Sequence, residues 1–291
     1  MKAKITGCLL ACLVATGATA GESIDRRMDA DADTLIKVSN VKGEIVIEGW
    51  DRDEVHLTGE IGEGSRDLEV SASDRQVRIE VSIPRNARAV EDTILYLSIP
   101  AGASVEAEGV SASIEIEGLD NRSISAQSVS GDISVEARTR ALEVEAVSGD
   151  IEFEGRATAA ELTTVSGDVD VEGIRGALSV NSVSGEILVR GGELRKGRFE
   201  SVSGDLELFA RLADDTDIVV ESLSGDVDIE LPASLSARLE AESYSGKIRS
   251  DRGEVRKARH GSQQSLDFTM GDGDGRIRIE SFSGDVRIET R

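Results

Sequence analysis

The sequence predicts an all-β protein, a single-stranded parallel β-helix (β-solenoid) with coils of about 18–21 residues. A motif of the form Val-Ser-Gly-Asp recurs along the chain at nearly constant spacing. Around each copy, apolar residues alternate with Glu, Asp, Ser or Thr, which is typical of strands with one buried face, and helical periodicity is absent. One such repeat cannot bury its apolar side alone, whereas stacked repeats share a continuous core.

The composition agrees with thin, repetitive β layers and argues against two other classes of protein. Hydrophobic residues make up 39% of the 291 residues but aromatic residues only 3%, so Val, Ile, Leu and Ala must fill the core. That apolar content is too high for a fully disordered acidic chain. The 56 acidic residues outnumber the 33 basic ones and give a formal charge of -23. A nucleic-acid binder is therefore not expected, because such a surface should be basic.

Residues 1–20 have the pattern of a secretory signal peptide. Two lysines precede an apolar run from Ile5 to Val14, and small residues lead to Ala20. The apolar run is too short to span a membrane as a stable helix. We therefore expect cleavage near Ala20 and export to the periplasm, the cell surface or the medium, with no membrane-spanning segment in the exported protein.

Both cysteines of the chain, Cys8 and Cys12, lie in this predicted signal peptide. The exported protein would then lack thiol and disulfide chemistry, and we expect no cofactor. A lipoprotein signal acylated at Cys12 is the alternative. It is disfavoured because little apolar sequence precedes Cys12 and the apolar run continues beyond it.

Two segments are predicted between the signal peptide and the regular repeats. Residues 21–33 are polar and acidic and are expected to form a flexible leader. Residues 34–105 contain less regular strand patterns, such as Val77 to Ile83 and Ile94 to Ile99. We expect this N-terminal irregular β region to cap the solenoid, because an uncapped end would expose a strand edge.

Residues 106–291 are predicted to form the regular solenoid repeats. The motif places glycine at positions 131, 149, 167, 185, 204, 225, 246 and 284, and the last interval equals two repeat lengths. Each glycine is expected to occupy a turn conformation or a close packing position that a Cβ would penalise. The acidic residue after it is expected to bond neighbouring backbone amides.

The N-terminal region carries motifs that resemble a known family. They are Asn40-x-x-Gly43-Glu44-Ile45-x-Ile47-x-Gly49-Trp50-Asp51, Asp53-Glu54-Val55 and Leu97-x-Ile99-Pro100-x-Gly102. With the Ser-Gly-Asp repeats, these motifs resemble the bacterial DUF4097 family, which has a β-helix fold and whose members are often labelled adhesins. The resemblance covers nearly the whole chain after residue 20 and implies the same fold. It implies no catalytic residues.

The acidic residues that follow the repeat glycines are expected to stack one strand spacing apart. They are Asp132, Asp150, Asp168, Glu186, Asp205 and Asp226. Carboxylates this close repel each other unless they are solvated, bonded to turn amides or bridged by a cation such as Ca²⁺. We interpret the column as turn chemistry. Calcium binding by the five aspartates, or catalysis by one of these acids, is the alternative.

A second column is basic and is the candidate binding edge. Arg138, Arg156, Arg175 and Arg211 follow a repeat glycine by seven or eight residues, Arg252 lies near that register, and Arg256, Lys257 and Arg259 continue the basic sequence. Such an edge would recognise an anionic envelope polymer. Charge balance beside acidic strands is the alternative interpretation.

The predicted function is that of an exported, non-enzymatic, adhesin-like interaction module that binds an envelope polysaccharide or protein. The two histidines, His56 and His260, belong to no recognised catalytic motif. One alternative is a structural or self-assembling periplasmic scaffold, in which the coil ending at Arg291 pairs end to end with another copy. A carbohydrate-active enzyme on a β-helix is a third, less favoured hypothesis.

Overall fold

The computed structural model describes residues 22–65, 67–73, 75–83 and 90–291, all of whose regular structure is β. The predicted signal peptide, residues 1–20, lies outside this range. No helix in the described part of the chain is long and apolar enough to cross a membrane.

Within these residues, twenty strands form one continuous hydrogen-bonded sheet that winds into the solenoid. The first ten are β1 (Glu22–Asp29), β2 (Leu35–Trp50), β3 (Glu54–Ile61), β4 (Asp67–Ser73), β5 (Gln76–Ser82), β6 (Thr93–Pro100), β7 (Ser104–Ser128), β8 (Ile133–Ser148), β9 (Ile151–Ser166) and β10 (Val169–Glu172). The others are β11 (Arg175–Ser184), β12 (Ile187–Ser203), β13 (Leu206–Ser224), β14 (Val227–Leu231), β15 (Ala237–Ser243), β16 (Ile248–Ser250), β17 (Arg256–Lys257), β18 (Gln264–Met270), β19 (Gly275–Ser283) and β20 (Val286–Thr290).

Each regular coil contains two strand segments whose inward side chains meet in one core. In the coil of β8, Ile133 and Val135 are buried on the segment that follows the repeat glycine, which we call the first face. Leu142 and Val144 are buried on the segment that precedes the next glycine, which we call the second face. Both pairs belong to the same hydrophobic cluster. The predicted parallel β-solenoid is thereby confirmed.

The repeat length determines how the coils stack. β8 pairs with β9 in parallel from Ile133↔Ile151 to Ser148↔Ser166, so equivalent residues lie opposite each other. Because side chains alternate along a strand, this register keeps the inward apolar residues of successive coils, such as Ile133 and Ile151, on the core side. The same parallel pairing continues from β9 through β10, β11 and β12 to β13.

At the N-terminal end, antiparallel strands cover the parallel stack. β2 pairs in parallel with β7 on its inner side and with β5 and β6 on its outer side. β4 then pairs antiparallel with β5, β3 with β6, and β1 with β3. The segment 21–33, predicted to be a flexible leader, thus forms strand β1 over most of its length. Ile24 is buried there, which offsets the cost of ordering an otherwise polar segment.

At the C-terminal end, the order of the coils in space differs from their order in the chain. β19 and β20 lie between the coil of β13 and β14 and the coil of β15 and β16. The outer edge of β15 is covered by β18, which runs antiparallel to it. The prediction that the coil ending at Arg291 presents a free strand edge is therefore wrong. The chain first leaves the stack as the β17–β18 hairpin and then returns to insert its last coil.

Candidate functional site

A basic groove lies at the corner where the first face of the early coils turns into the second face. Arg138 and Arg156 occupy equivalent positions on β8 and β9, and Arg175 begins β11. With Arg122 and Arg140 they line a groove of about 440 Å³. We call it the arginine groove. The repeat places these guanidinium groups together because it returns the chain to the same corner once per coil.

Most of the guanidinium groups in the arginine groove have no ionic partner within the described residues. Arg122 lies 3.8 Å from the carboxylate of Asp33, and it is the only one of the five within 4.0 Å of a described acidic group. Arg138, Arg156 and Arg175 are exposed to solvent. Guanidinium groups bind carboxylates, sulfates and phosphates in bidentate geometry. Although Asp33 and Asp120 also line the groove, most of its guanidinium groups contact no carboxylate of the described residues.

Arg211, also predicted for this edge, lies outside the arginine groove. Along the stack, Glu193 pairs with Arg175 on one side and with Arg211 on the other. The Nε of Arg211 donates to the carbonyl oxygen of Gly192 at 3.4 Å. An acidic residue thus separates Arg211 from the other arginines of the column.

The remaining predicted basic residues lie at the C-terminal end of the solenoid. Arg252 donates from Nε to the Oγ1 of Thr290 at 3.3 Å. Arg256 and Lys257 form the short strand β17, which pairs with β18, and Arg259 lies in the loop of that hairpin. The predicted basic edge is therefore not one continuous surface, since Arg211 and the C-terminal basic residues lie apart from the arginine groove.

The acidic column forms a hydrogen-bonded ladder between successive coils. Oδ1 of Asp132 accepts the amide of Asp150 at 3.0 Å, and Oδ1 of Asp150 accepts the amide of Asp168 at 2.8 Å. The same bond joins Asp168 to Glu186, Asp205 to Asp226, Asp226 to Asp285, and Asp285 to Lys247. The carboxylates thus bond amides of the next coil, whereas the sequence suggested the amides of their own turn.

No group of three or more His, Cys, Asp or Glu side chains in the described residues is arranged to hold a metal ion. Two ladder positions have pKa values shifted in opposite directions. Burial, followed by the negative charges of Glu207, Asp168 and Asp205, raises the pKa of Glu186. At Asp285, the amide of Lys247 and the nearby Arg249 hold the pKa below its usual value. The carboxylates of the ladder thus act as acceptors for backbone amides.

An exposed apolar stripe runs along the corner that carries the repeat motif. It consists of the residue before Ser-Gly in successive coils, or before Ser-Ala at Val110, and the relative exposure of these side chains lies between 43% and 58%. In stacking order they are Val110, Val129, Val147, Val165, Val183, Val202, Leu223, Phe282 and Tyr244. Two grooves of about 450 and 480 Å³ follow this stripe and share Thr163 and Val165. They make one continuous channel along the apolar stripe.

The apolar stripe was missed by sequence reasoning, although a signal for it was present. The residue before each stripe position is a small residue that the structure buries, such as Ala146 before Val147 or Ser182 before Val183. Because side chains alternate along a strand, a buried small residue directs the next side chain outward. The bulky Val of each motif was therefore predictable as a surface residue.

Trp50, the only tryptophan of the chain, is part of the N-terminal cap. Its Nε1 donates to the carbonyl oxygen of Glu54 at 2.8 Å, and the guanidinium of Arg52 lies 4.9 Å from the ring centroid. His56 stacks beside Trp50 and contacts the carboxylate of Asp25 at 3.0 Å. These contacts join β1, β2 and β3 at the rim of the solenoid.

Comparison with known proteins gives a family and a set of distant structures. The model of the family described as Toastrack DUF4097 matches residues 27–289. A crystal structure of a putative adhesin from Bacteroides fragilis is 14% identical, covers 92% of this chain and 97% of its own, and has a TM-score of 0.44. One from Parabacteroides merdae, described in the same words, is 13% identical, covers 92% and 96%, and has a TM-score of 0.46. No curated protein matches the chain.

Proposed function

The chain belongs to the Toastrack DUF4097 family, and from that premise we propose that it is an exported, non-enzymatic, adhesin-like interaction module that binds an anionic polymer of the cell envelope. The binding surface is the arginine groove. The repetitive architecture supports this function because parallel stacking of the coils offers extended surfaces on which equivalent side chains recur. The signal-peptide pattern of residues 1–20 supports export.

The observation that carries the proposal is the set of unpaired arginines on an acidic protein. The chain has a formal charge of -23, so an arginine has many potential acidic partners. Nevertheless Arg138, Arg140, Arg156 and Arg175 have no carboxylate within 4.0 Å among the described residues, whereas Arg190 and Arg195 on later coils contact aspartates. Charge balance alone does not account for this difference.

The spacing of these arginines fits a polymer better than a small anion. Stacked strands lie about 4.8 Å apart, and the arginines on β8 and β9 repeat at that interval. A polymer with regularly spaced carboxylate, sulfate or phosphate groups can contact several of them at once. Several weak contacts on one chain raise the overall affinity without a deep pocket.

The test is a binding measurement with a uronic-acid polysaccharide, polygalacturonate, as the probe and neutral dextran as its control. The protein is the chain from Gly21, immobilised for biolayer interferometry. A triple variant, Arg138→Gln, Arg156→Gln and Arg175→Gln, is expected to lose about tenfold or more in affinity, because three charge-assisted contacts are removed. Binding is also expected to weaken as salt is added.

The matched control removes the same charge at the other end of the solenoid, through Arg256→Gln, Lys257→Gln and Arg259→Gln. It is expected to bind polygalacturonate within about twofold of the unmodified protein, because these residues lie outside the arginine groove. Equal losses in both triple variants would show that only net charge matters. Binding to dextran, or no binding to polygalacturonate, would also contradict the proposal.

A further inference from the structure

Carboxylates lie beside the C-terminal half of the apolar stripe, whereas the arginine groove carries cationic groups. We infer that this half of the stripe is a docking groove for a cationic amphipathic helix of a partner protein. The inference concerns a separate surface and does not depend on the proposed function. It rests on the shape of the groove, on the size of its exposed apolar side chains and on the charges beside them.

Large, exposed apolar side chains line the groove where the stripe ends. One wall consists of Leu223, Phe282 and Tyr244, which are 51%, 58% and 49% exposed. The rings of Phe282 and Tyr244 lie 5.9 Å apart, centroid to centroid. The floor contains the small buried residues Ser222 and Ser281. An apolar side chain of a partner can therefore pack against this wall above a small floor, within a volume of about 480 Å³ whose lining also includes Glu221 and Glu280.

Carboxylates flank this part of the stripe on both sides. On the second face, four glutamates lie in register on neighbouring strands, namely Glu200, Glu221, Glu280 and Glu242. Arg198 contacts Glu200 and lies 3.6 Å from Glu221. Within the described residues, Glu242 and Glu280 have no ion pair. On the first face, the stripe is followed by Asp205, Asp226 and Asp285 of the ladder, with Lys247 at the end.

These charges select one kind of occupant. A second copy of the chain would bring the same carboxylates against this surface, in a protein whose net charge is already -23. An anionic lipid surface would be repelled in the same way. A partner with apolar residues on one side and Lys or Arg beside them is complementary to both features of the groove.

The spacing of the stripe favours a helix as the form of this partner. An α-helix rises about 5.4 Å per turn, whereas the rungs of the solenoid are about 4.8 Å apart. A helix lying along the solenoid axis can thus place about one apolar side chain per rung, and the mismatch amounts to only about 2 Å after four turns. Four rungs correspond to the stretch from Val202 to Tyr244 in stacking order.

The experiment uses a fluorescein-labelled peptide of Leu and Lys, about 18 residues long, with Leu at helical positions i, i+3, i+4 and i+7. A shuffled peptide of equal composition has no apolar face and serves as its control. Fluorescence anisotropy with the chain from Gly21 is expected to show binding of the amphipathic peptide at least about tenfold tighter than of the shuffled one. Replacing Lys by Glu in the peptide is expected to abolish binding.

The variant Leu223→Ser with Phe282→Ser is expected to weaken binding by about tenfold or more. Both side chains are exposed, so the fold is retained. The matched control, Val110→Ser with Val129→Ser, alters the same stripe at its other end and is expected to change affinity by less than about twofold. Equal binding of the shuffled peptide, no binding of the amphipathic peptide, or no loss in the first variant would overturn the inference. Concentration-dependent dimers that are lost in the first variant would instead assign the groove to a second copy.

Discussion

At the scale of single residues, the close stacking of the coils depends on glycine at one corner. A Cβ on Gly167 would lie 2.1 Å from the carbonyl oxygen of Gly149, and a Cβ on Gly185 would lie 2.0 Å from that of Gly167. Gly185 also has a φ of 137°, a backbone conformation that residues with a Cβ rarely adopt. Close approach is thus the constraint that both positions share, and backbone conformation adds to it at Gly185.

The acidic ladder makes stability depend on pH in a direction set by the pKa of each carboxyl group. The amide of Lys247, and after it Arg249, hold the pKa of Asp285 below its usual value. A carboxyl group whose pKa is lower in the folded chain stabilises the fold above its unfolded pKa, and this contribution is lost as the pH falls through the folded pKa. We therefore expect Asp285→Asn to be less stable than the unmodified protein at about pH 6, and this difference in stability to be smaller at about pH 3.

Urea unfolding at these two pH values measures the difference. Glu186, whose raised pKa acts in the opposite direction, is present in both proteins, so its contribution cancels in the comparison. Asp272→Asn is the control, because it removes the same charge from an exposed turn residue. A stability difference for Asp285→Asn that stays constant between the two pH values would contradict the assignment.

Much of this residue-scale structure is predictable from the sequence because the pattern is local. The alternation around each motif correctly places Ile133, Val135 and Leu142 in the core. The hydrogen-bond partner of each ladder aspartate was not predictable. Asp150, for example, accepts a hydrogen bond from the backbone amide of Asp168, which lies one full coil away. A spacing of 18 residues shows that two positions are equivalent, but it does not show which atoms meet.

At the scale of elements, antiparallel strands at both ends cover edges that parallel stacking would leave open. β1, β3 and β4 cover the N-terminal end, and β18 covers β15 at the C-terminal end. Exposed strand edges promote pairing with other chains. The sequence did not reveal the C-terminal arrangement, because the interval from Gly246 to Gly284 equals two repeats and is equally compatible with an additional coil.

One side chain completes the C-terminal cap and provides a test of it. The Oε1 of buried Gln264 accepts the amide of Ile248 at 3.0 Å, at the outer edge of β16. Gln264→Met keeps the approximate volume but removes the acceptor, which leaves a buried amide without a partner. We expect hydrogen exchange of the Ile248 amide to accelerate by about tenfold or more.

The amide of Ile277, in the middle of the stack, is the internal reference for that measurement, and its exchange is expected to remain unchanged. Gln264→Glu keeps an acceptor oxygen and should retain most of the protection at Ile248. If Gln264→Met exchanges at the rate of the unmodified protein, the side chain does not secure the edge. A uniform acceleration at both amides would indicate a global loss of stability instead.

At the scale of the whole molecule, the solenoid separates two surfaces of opposite chemistry along one axis. The arginine groove lies on the early coils around β8, β9 and β11, and the acidic end of the apolar stripe lies on the late coils around β13, β15 and β19. The pairing of Arg138 with Arg156 was predictable from the sequence. Both residues follow a repeat glycine by seven positions, and residues at equal distances from that glycine lie at the same place around the coil. The apolar stripe was predictable too, from the small residue that precedes each of its members, but that signal was not used.

The capped ends and the net charge together predict that the chain from Gly21 is a monomer. Antiparallel strands cover the N-terminal end and the outer edge of β15, and the strongly negative formal charge opposes contact between copies. Leu266, which is 2% exposed, holds β18 on the stack. We expect Leu266→Asp to detach β18, and to give end-to-end association that increases with salt because screening weakens the repulsion between copies.

Asp267→Asn, on the outward side of the same strand, is the control and should remain monomeric. Sedimentation equilibrium at low and high salt measures both effects. Association of the unmodified chain that equals that of Leu266→Asp would mean that the β18 cap does not keep the molecules apart.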